Sequence, residues 1–222
     1  MKKERPILFS TPMVQALLAG RKTQTRRILK LKKIDASKVG EIHPDGSGKG
    51  WIAWQPGNGV TAEMTKDAYP GNQGFACPYG HVGDILWVRE SFKPRAFAST
   101  PLDGYDYKAD HDMWLKKNGQ QFVKRSGCER REFWKPSIHM PKAACRIWLE
   151  ITDIRVERVQ DISEEDAIAE GAQGNGDWSY TPSDDFENIW KKINGTESWE
   201  ADPFCWVISF KILSTTGKPS DL

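Results

Sequence analysis

Residues 17–27 read LLAGRKTQTRR, and Arg21, Lys22, Arg26 and Arg27 there surround Thr23 and Thr25 within seven consecutive positions. Like charges so close repel, so the cluster costs stability unless an anionic or electron-rich partner offsets it or each cation stays in water. A threonine hydroxyl has the chemistry to attack an acyl carbon or to hold an attacking water. A lysine beside three arginines acts as a base if burial and neighbouring charge lower its pKa, although a helix C-terminus pushes the other way. Arginines suit an oxyanion or a phosphate, which they grip through two parallel hydrogen bonds. If this stretch is a strand, Arg26 and Arg27 point to opposite faces, so only one meets a given cleft. Arg27 then contacts a phosphate or pairs with Asp84 or Glu90.

Two other segments carry polar chemistry. Trp87, Arg89 and Glu90 close the run VGDILWVRE; Trp87 reads as core, and Arg89 and Glu90 as ligand contacts or members of a buried ion pair. Trp134, Ser137 and His139 lie in the proline-bounded run WKPSIHMP. A ring to stack on a base, with a hydroxyl and an imidazole to read its edge, fits a nucleotide pocket; a packed loop with a capping histidine is the alternative. Cys77-x-x-x-His81, taken with Cys128 or His139, lacks the paired Cys-x-x-Cys geometry of a structural zinc site, so no metal is expected. Neither a phosphate-binding glycine loop nor a dinucleotide fingerprint occurs, so no cofactor is expected.

The elements that must position these groups follow from periodicity. Residues 5–10 (RPILFS) predict a strand, with Pro6 near its start. Thr11-Pro12 predicts a helix start capped by Thr11, Met13, Ala16 and Leu17 recur at helical spacing, and Gly20 supplies the stop. Arg21 and Lys22 then sit at the helix C-terminus, where the dipole favours cations. Residues 23–29 predict the next strand. Residues 31–80, with nine glycines, read as a long excursion with little regular structure, and residues 93–136 as a second. Between them a Gly83-Asp84 turn leads into a buried strand ending at Glu90. Residues 144–159 give the longest strand signal: Ile147, Leu149 and Ile151 share one face, Ile154 and Val156 the other, so a bulge is expected near Thr152-Asp153. Ser163-Glu-Glu-Asp166 is a capping box opening a helix that Gly171 closes. Thr181-Pro182 opens another, with Phe186, Ile189, Trp190 and Ile193 on its apolar stripe and Asn194-Gly195 as its stop. Residues 203–213 alternate strictly, with Phe204, Trp206, Ile208, Phe210 and Ile212 inward. This order predicts one α+β domain over residues 1–222, a small, partly closed β-barrel with flanking helices and two insertions.

Ten tryptophans and a hydrophobic content of 38% fit a folded globular chain of 222 residues. The net charge is only +2, but it is unevenly spread: residues 1–33 hold ten Lys/Arg and one Glu, residues 157–202 thirteen Asp/Glu and three Lys/Arg. Either a basic face awaits an anionic partner, or the two segments pair in the fold. No apolar run approaches the ~20 residues that span a bilayer, and the first is too short for a secretory signal. Four scattered cysteines then predict reduced thiols and a cytoplasmic protein that keeps clear of membranes.

Taken together, LLAGRKTQTRR, VGDILWVRE, the long strand into DISEEDAIAEG and FCWVISFK resemble the ASCH domain family of the PUA-like superfamily. WKPSIHMP resembles its phage- and prophage-encoded branch with two insertions. The resemblance implies a PUA-like barrel whose cleft takes RNA or a modified nucleotide. A small bacterial relative is an amidohydrolase that deacetylates 4-acetylcytidine; matching its G-R-K-T-x-T segment and the helix after the long strand implies Lys22, Thr25 and Glu170 as catalytic residues. It also implies Arg27 as the inward arginine. Glu170 protonates a leaving amine if an apolar site raises its pKa, or it simply forms a salt bridge with Lys22. This chain is far longer than that relative, so its insertions cap, reshape or fill the cleft. Three functions remain open: binding of RNA or a modified nucleoside by Arg21, Arg26, Arg27, Arg89, Glu90, Trp134, Ser137 and His139; deacylation; or a phage-encoded module that engages a host protein through its tryptophan-rich insertions.

Overall fold

The computed structural model describes residues 2–30, 39–44, 50–54, 74–95, 104–118, 133–176 and 179–222. Helices and mixed sheets make an α+β fold, and no closed barrel is found among the described residues. The chain divides into two compact units: Met1–Thr23 with Asp84–Glu150 and Phe210–Leu222, and Gln24–Gly83 with Ile151–Ser209. Among the described residues no helix is long and apolar enough to cross a membrane.

In the first unit, β1 (Glu4–Leu8) runs parallel to β6 (Ile85–Arg89), in register from Glu4↔Ile85 to Leu8↔Arg89. The start of β9 (Trp148–Arg158) pairs antiparallel with β6, Trp148 opposite Trp87. The connecting helix α1 (Thr11–Leu18) buries Val14, Ala16 and Leu17. Its cap is not Thr11 as expected. The extended backbone sits at Ser10, and Thr11 and Pro12 already occupy the first turn, where proline's fixed φ suits the helix. Gly20, at φ +71°, ends it as expected.

Residues 93–136 hold more structure than expected. Strands β7 (Phe92–Pro94) and β8 (Tyr105–Tyr107) form a hairpin, and α2 (Lys108–Asn118) follows directly. The α2 sequence KADHDMWLKKN shows almost no apolar stripe, so periodicity misses it; helix formers and a Lys108–Asp112 pair at 2.8 Å along one face favour it instead. The strand expected from residue 144 starts at Trp148, because Lys142–Ala144 coil into a 3-10 turn after Pro141. Ile85, Phe92, Tyr107, Met140, Ala144, Cys145 and Trp148 form this unit's core.

In the second unit, β2 (Gln24–Ile28) pairs antiparallel with the start of β10 (Phe204–Ser214), from Gln24↔Ser209 to Ile28↔Cys205. The region expected to be irregular carries three short strands, β3 (Glu41–Pro44), β4 (Trp51–Trp54) and β5 (Gly74–Phe75), in one antiparallel sheet. The expected turns at Asp45-Gly46 and Pro56-Gly57 lie outside the described residues. Thr152 and Asp153 are exposed in succession, so the burial phase of β9 changes where a bulge was expected. The strict alternation expected of β10 gives way at Cys205–Trp206–Val207–Ile208, all buried, because both faces of the strand are covered there.

Helix α3 (Glu164–Glu170) starts at Ser163, whose Oγ accepts from the Asp166 amide at 3.1 Å, and stops at Gly171, φ +99°. Helix α4 (Pro182–Asn194) has both arms of a Thr181–Asp184 capping box, and a short helix, α5 (Thr196–Glu200), follows it. Phe186 and Trp190 pack with Val159, Ala167, Ala172 and Cys205. Burying Phe186 alone contributes roughly 1.5–3 kcal/mol. Ile193, expected on the same stripe, is exposed, because the last turn of α4 runs past this core.

Candidate functional site

The β2 register decides what its charged run faces. Directly opposed side chains of antiparallel strands share a face, so Thr25 lies beside Ile208 and Arg27 beside Trp206. Gln24, Arg26 and Ile28 occupy the other face. Thr25 is fully buried at 0% exposure, and its Oγ1 has no hydrogen-bond partner among the described residues. A hydroxyl stranded this way costs about 1–3 kcal/mol of desolvation that nothing returns. Burial pushes the Arg27 pKa down, and nearby Tyr79 and Glu170 push it back up. Trp206 meets Trp51 edge-on with centroids 4.7 Å apart, and Phe75 at 5.7 Å. The first excursion therefore brings two rings, from β4 and β5, against the strand that partners β2.

Arg26 is differently occupied. Its side chain is wholly buried, with Nη2 donating to Asp166 Oδ2 at 2.7 Å and to Glu157 Oε2 at 2.9 Å. Nη1 lies 3.9 Å from Glu170 Oε1, and the guanidinium stands 5.9 Å from the Phe186 ring. Arg155 adds bonds to Glu157 and Asp166 at 2.7 and 2.8 Å. Burial would raise the Asp166 carboxyl, but the hydrogen bond and charge of Arg26, with Arg155, hold it below the usual carboxylate range. At this position the basic and acidic segments pair within the fold. Glu170, at the end of α3, is itself buried at 8% exposure, lies beside Arg26 and favours the charge of Arg27.

The remaining predicted residues belong to the first unit. Arg21 is exposed, and its amide, like that of Lys22, bonds back to the Ala16 carbonyl. Lys22 is at 0% exposure with its Nζ 5.6 Å from the centre of the Phe9 ring. Arg89 donates to the Ile138 carbonyl and stands 5.6 Å from the Trp87 ring, which packs against the core. Glu90 is in a buried ion pair, as one of its two readings had it, and its partner is Arg146: Nε and Nη2 donate to the two carboxylate oxygens at 2.9 and 3.0 Å. Arg146 also bonds Asp110 at 2.7 Å and lies 4.0 Å from the Tyr107 ring. Burial raises the Glu90 carboxyl, against the pull of Arg146. Asp84 accepts from the Lys3 amide at 2.9 Å. Trp134 faces Lys93, Nζ at 4.9 Å, and the His111 ring at 5.5 Å, whereas Ser137–His139 form a 3-10 turn with no buried residue.

Cys128 lies outside the described residues, and Cys77 is a buried thiol. Among the described residues no group of three or more His, Cys, Asp and Glu is arranged to hold a metal. Sequence reasoning passed over Tyr79, Trp51 and Arg146. Tyr79 and Trp51 sit in a stretch with no apolar period, and Arg146 stands just before a strand, where nothing local announces an ion pair. The chain matches no protein-family model, no curated protein and no solved structure.

Proposed function

We propose that this chain is an ASCH-type, PUA-like cytoplasmic protein that binds RNA or a modified nucleoside at the Thr25–Arg27 face of β2. The observation that carries the reading is the buried Thr25 Oγ1, without a hydrogen-bond partner among the described residues, on the same strand face as Arg27 and near Trp206. A polar edge of a bound base satisfies that hydroxyl and recovers the cost of burying it bare. Arg27 supplies a cation for a phosphate or a carbonyl, and the charge of Glu170, which stands beside Arg26, helps to keep that cation. Arg26 belongs to the support of this site, because its cation is already shared among three carboxylates.

A second reading, deacylation of a modified cytidine, is favoured by one further observation. Thr25 and Glu170, two of the residue types such a hydrolase needs, are both buried in the second unit; Lys22 is buried in the first.

Both readings are tested by titrating the purified chain with single-stranded RNA and with a panel of modified nucleosides, followed by mass spectrometry for new products. Thr25→Val and Glu170→Gln are expected to weaken binding by about tenfold or more, roughly the 1.4 kcal/mol of one hydrogen bond. Thr25→Val should leave thermal stability unchanged or raise it, because it deletes an unsatisfied buried hydroxyl. Binding indifferent to both substitutions overturns the proposal. Product formation abolished by Lys22→Met with binding retained selects the hydrolase.

A further inference from the structure

The first unit carries an open-mouthed cavity of about 370 Å³ between β7, β8, α2 and the Trp134 segment. Trp134, Trp114, His111, Tyr105, Lys93 and Asp106 line it. Its volume falls at the small end of ligand sites, which run from about 300 to 1,000 Å³. The walls are fixed by the fold. Reciprocal backbone bonds between Phe92 and Lys135, at 3.2 and 2.8 Å, hold the residue next to Trp134 against β7. Below them Tyr107 donates its hydroxyl to the Ala144 carbonyl at 2.8 Å. Trp114, by contrast, stands 49% exposed on α2, a large ring presented to the opening.

Charge narrows the ligand. The lining holds Lys93 and Arg95 against Asp106 and Asp110, and these charges are already paired. Asp106 accepts from Arg95 Nε at 2.6 Å with Lys93 at 3.7 Å, and Asp110 accepts from Arg146. A cavity balanced in this way holds little attraction for a polyphosphate. A quaternary ammonium is excluded as well, since Lys93 already occupies the face of Trp134. What remains is ring surface rimmed by donors and acceptors in fixed places, which suits a flat, uncharged, hydrogen-bonding heterocycle.

We propose that this cavity binds one unstacked nucleobase, from a free nucleoside or from an unpaired position of single-stranded RNA. Trp114 supplies the stacking face, and Lys93, held over Trp134, contacts the polar edge of the base together with Asp106. The inference stands apart from the reading of β2, because every lining residue lies in the first unit.

The test is calorimetric titration of the full chain with adenosine, cytidine and a short single-stranded RNA, at low and high salt, with a monosaccharide as control. Trp114→Ala is expected to weaken binding by roughly 5- to 150-fold, the range of one lost base stack, with Trp114→Phe restoring most of it, and Trp134→Ala, which frees Lys93, to weaken it by less. Nucleoside affinity should vary little with salt, while the RNA arm should show the slope of phosphate contacts made outside the cavity. Nucleoside binding lost with Trp114→Ala belongs to this cavity and binding lost with Thr25→Val to the β2 face, so the two variants separate the sites. If Trp134→Ala unfolds the chain, Trp114→Ala and photocrosslinking of 4-thiouridine RNA decide. A crosslink on Trp114 or Trp134, with RNA bound and nucleosides not, assigns the base to RNA. Absence of binding by every nucleoside and by RNA, indifference to both tryptophan substitutions, or equal binding of the monosaccharide overturns the proposal.

Discussion

Each unit buries an arginine among carboxylates, and the two clusters answer the same electrostatic problem in opposite ways. In the second unit Arg26 serves Glu157, Asp166 and Glu170 together, with Arg155 bracing two of them. Asp166 is held below the ordinary carboxylate range, because Arg26 and Arg155 outweigh the effect of burial. In the first unit Arg146 makes a two-pronged bond to Glu90, which is almost wholly enclosed, and burial wins: the Glu90 carboxyl is raised. Two cations beside the partly hydrated Asp166 favour its ionisation; one cation over the dry Glu90, with Asp110 beside it, falls short. The lesson is that counting ion pairs says nothing about their pH behaviour. The depth of the acid decides it.

The largest effect expected is from Arg26→Met, which takes from Glu157, Asp166 and Glu170 the buried cation they share. Urea unfolding should show a loss of about 3–5 kcal/mol, the range for removing one partner of a buried pair. Arg146→Met should cost less, about 1.5–3 kcal/mol, because Glu90 escapes by taking up a proton. Equal losses would break the contrast between the clusters.

The pH profiles sharpen it. Asp166, with a depressed folded pKa, contributes stability that is present above its unfolded value near pH ~4 and lost as pH falls through the folded value. Asp166→Asn should therefore flatten the acid limb of the stability curve. Glu90, with a raised folded pKa, contributes stability that is full below pH ~4.3 and lost as pH rises through the folded value, so Glu90→Gln should flatten a decline toward neutrality. Unfolding midpoints between about pH 3 and pH 8 read both signs, and slopes of the same sign would refute the assignment. Smallest are the caps. Thr181→Ala, which removes a box with both arms made, should cost about 1–2 kcal/mol, and Ser163→Ala about 0.5–1 kcal/mol, by thermal melting.

Much of the fold was legible where a local rule had no competitor. Gly20 and Gly171 end their helices at positive φ, Ser163 and Thr181 cap theirs, and the phase change at Thr152-Asp153 appears in β9. The misses share a cause. Helix α2 has no apolar stripe to announce it, and β3, β4 and β5 are too short to show a period. Cys205 and Val207 looked outward from alternation alone, because a strand's own pattern does not reveal that both of its faces are covered.

The site divides along the same line. Residue types and strand periodicity determined that Thr25 and Arg27 share a face and that Arg26 opposes them, since successive side chains in any strand alternate. Only the tertiary structure decided that Arg26 meets Glu157 and Asp166, that Glu90 is answered by Arg146, and that Trp51 and Trp206 wall one face of β2. These partners are separated by dozens to more than a hundred residues, and no short-range rule of propensity or spacing acts across such distances. They meet because packing of the apolar faces brings their backbones together, and the charges then pair with whatever that packing has placed beside them.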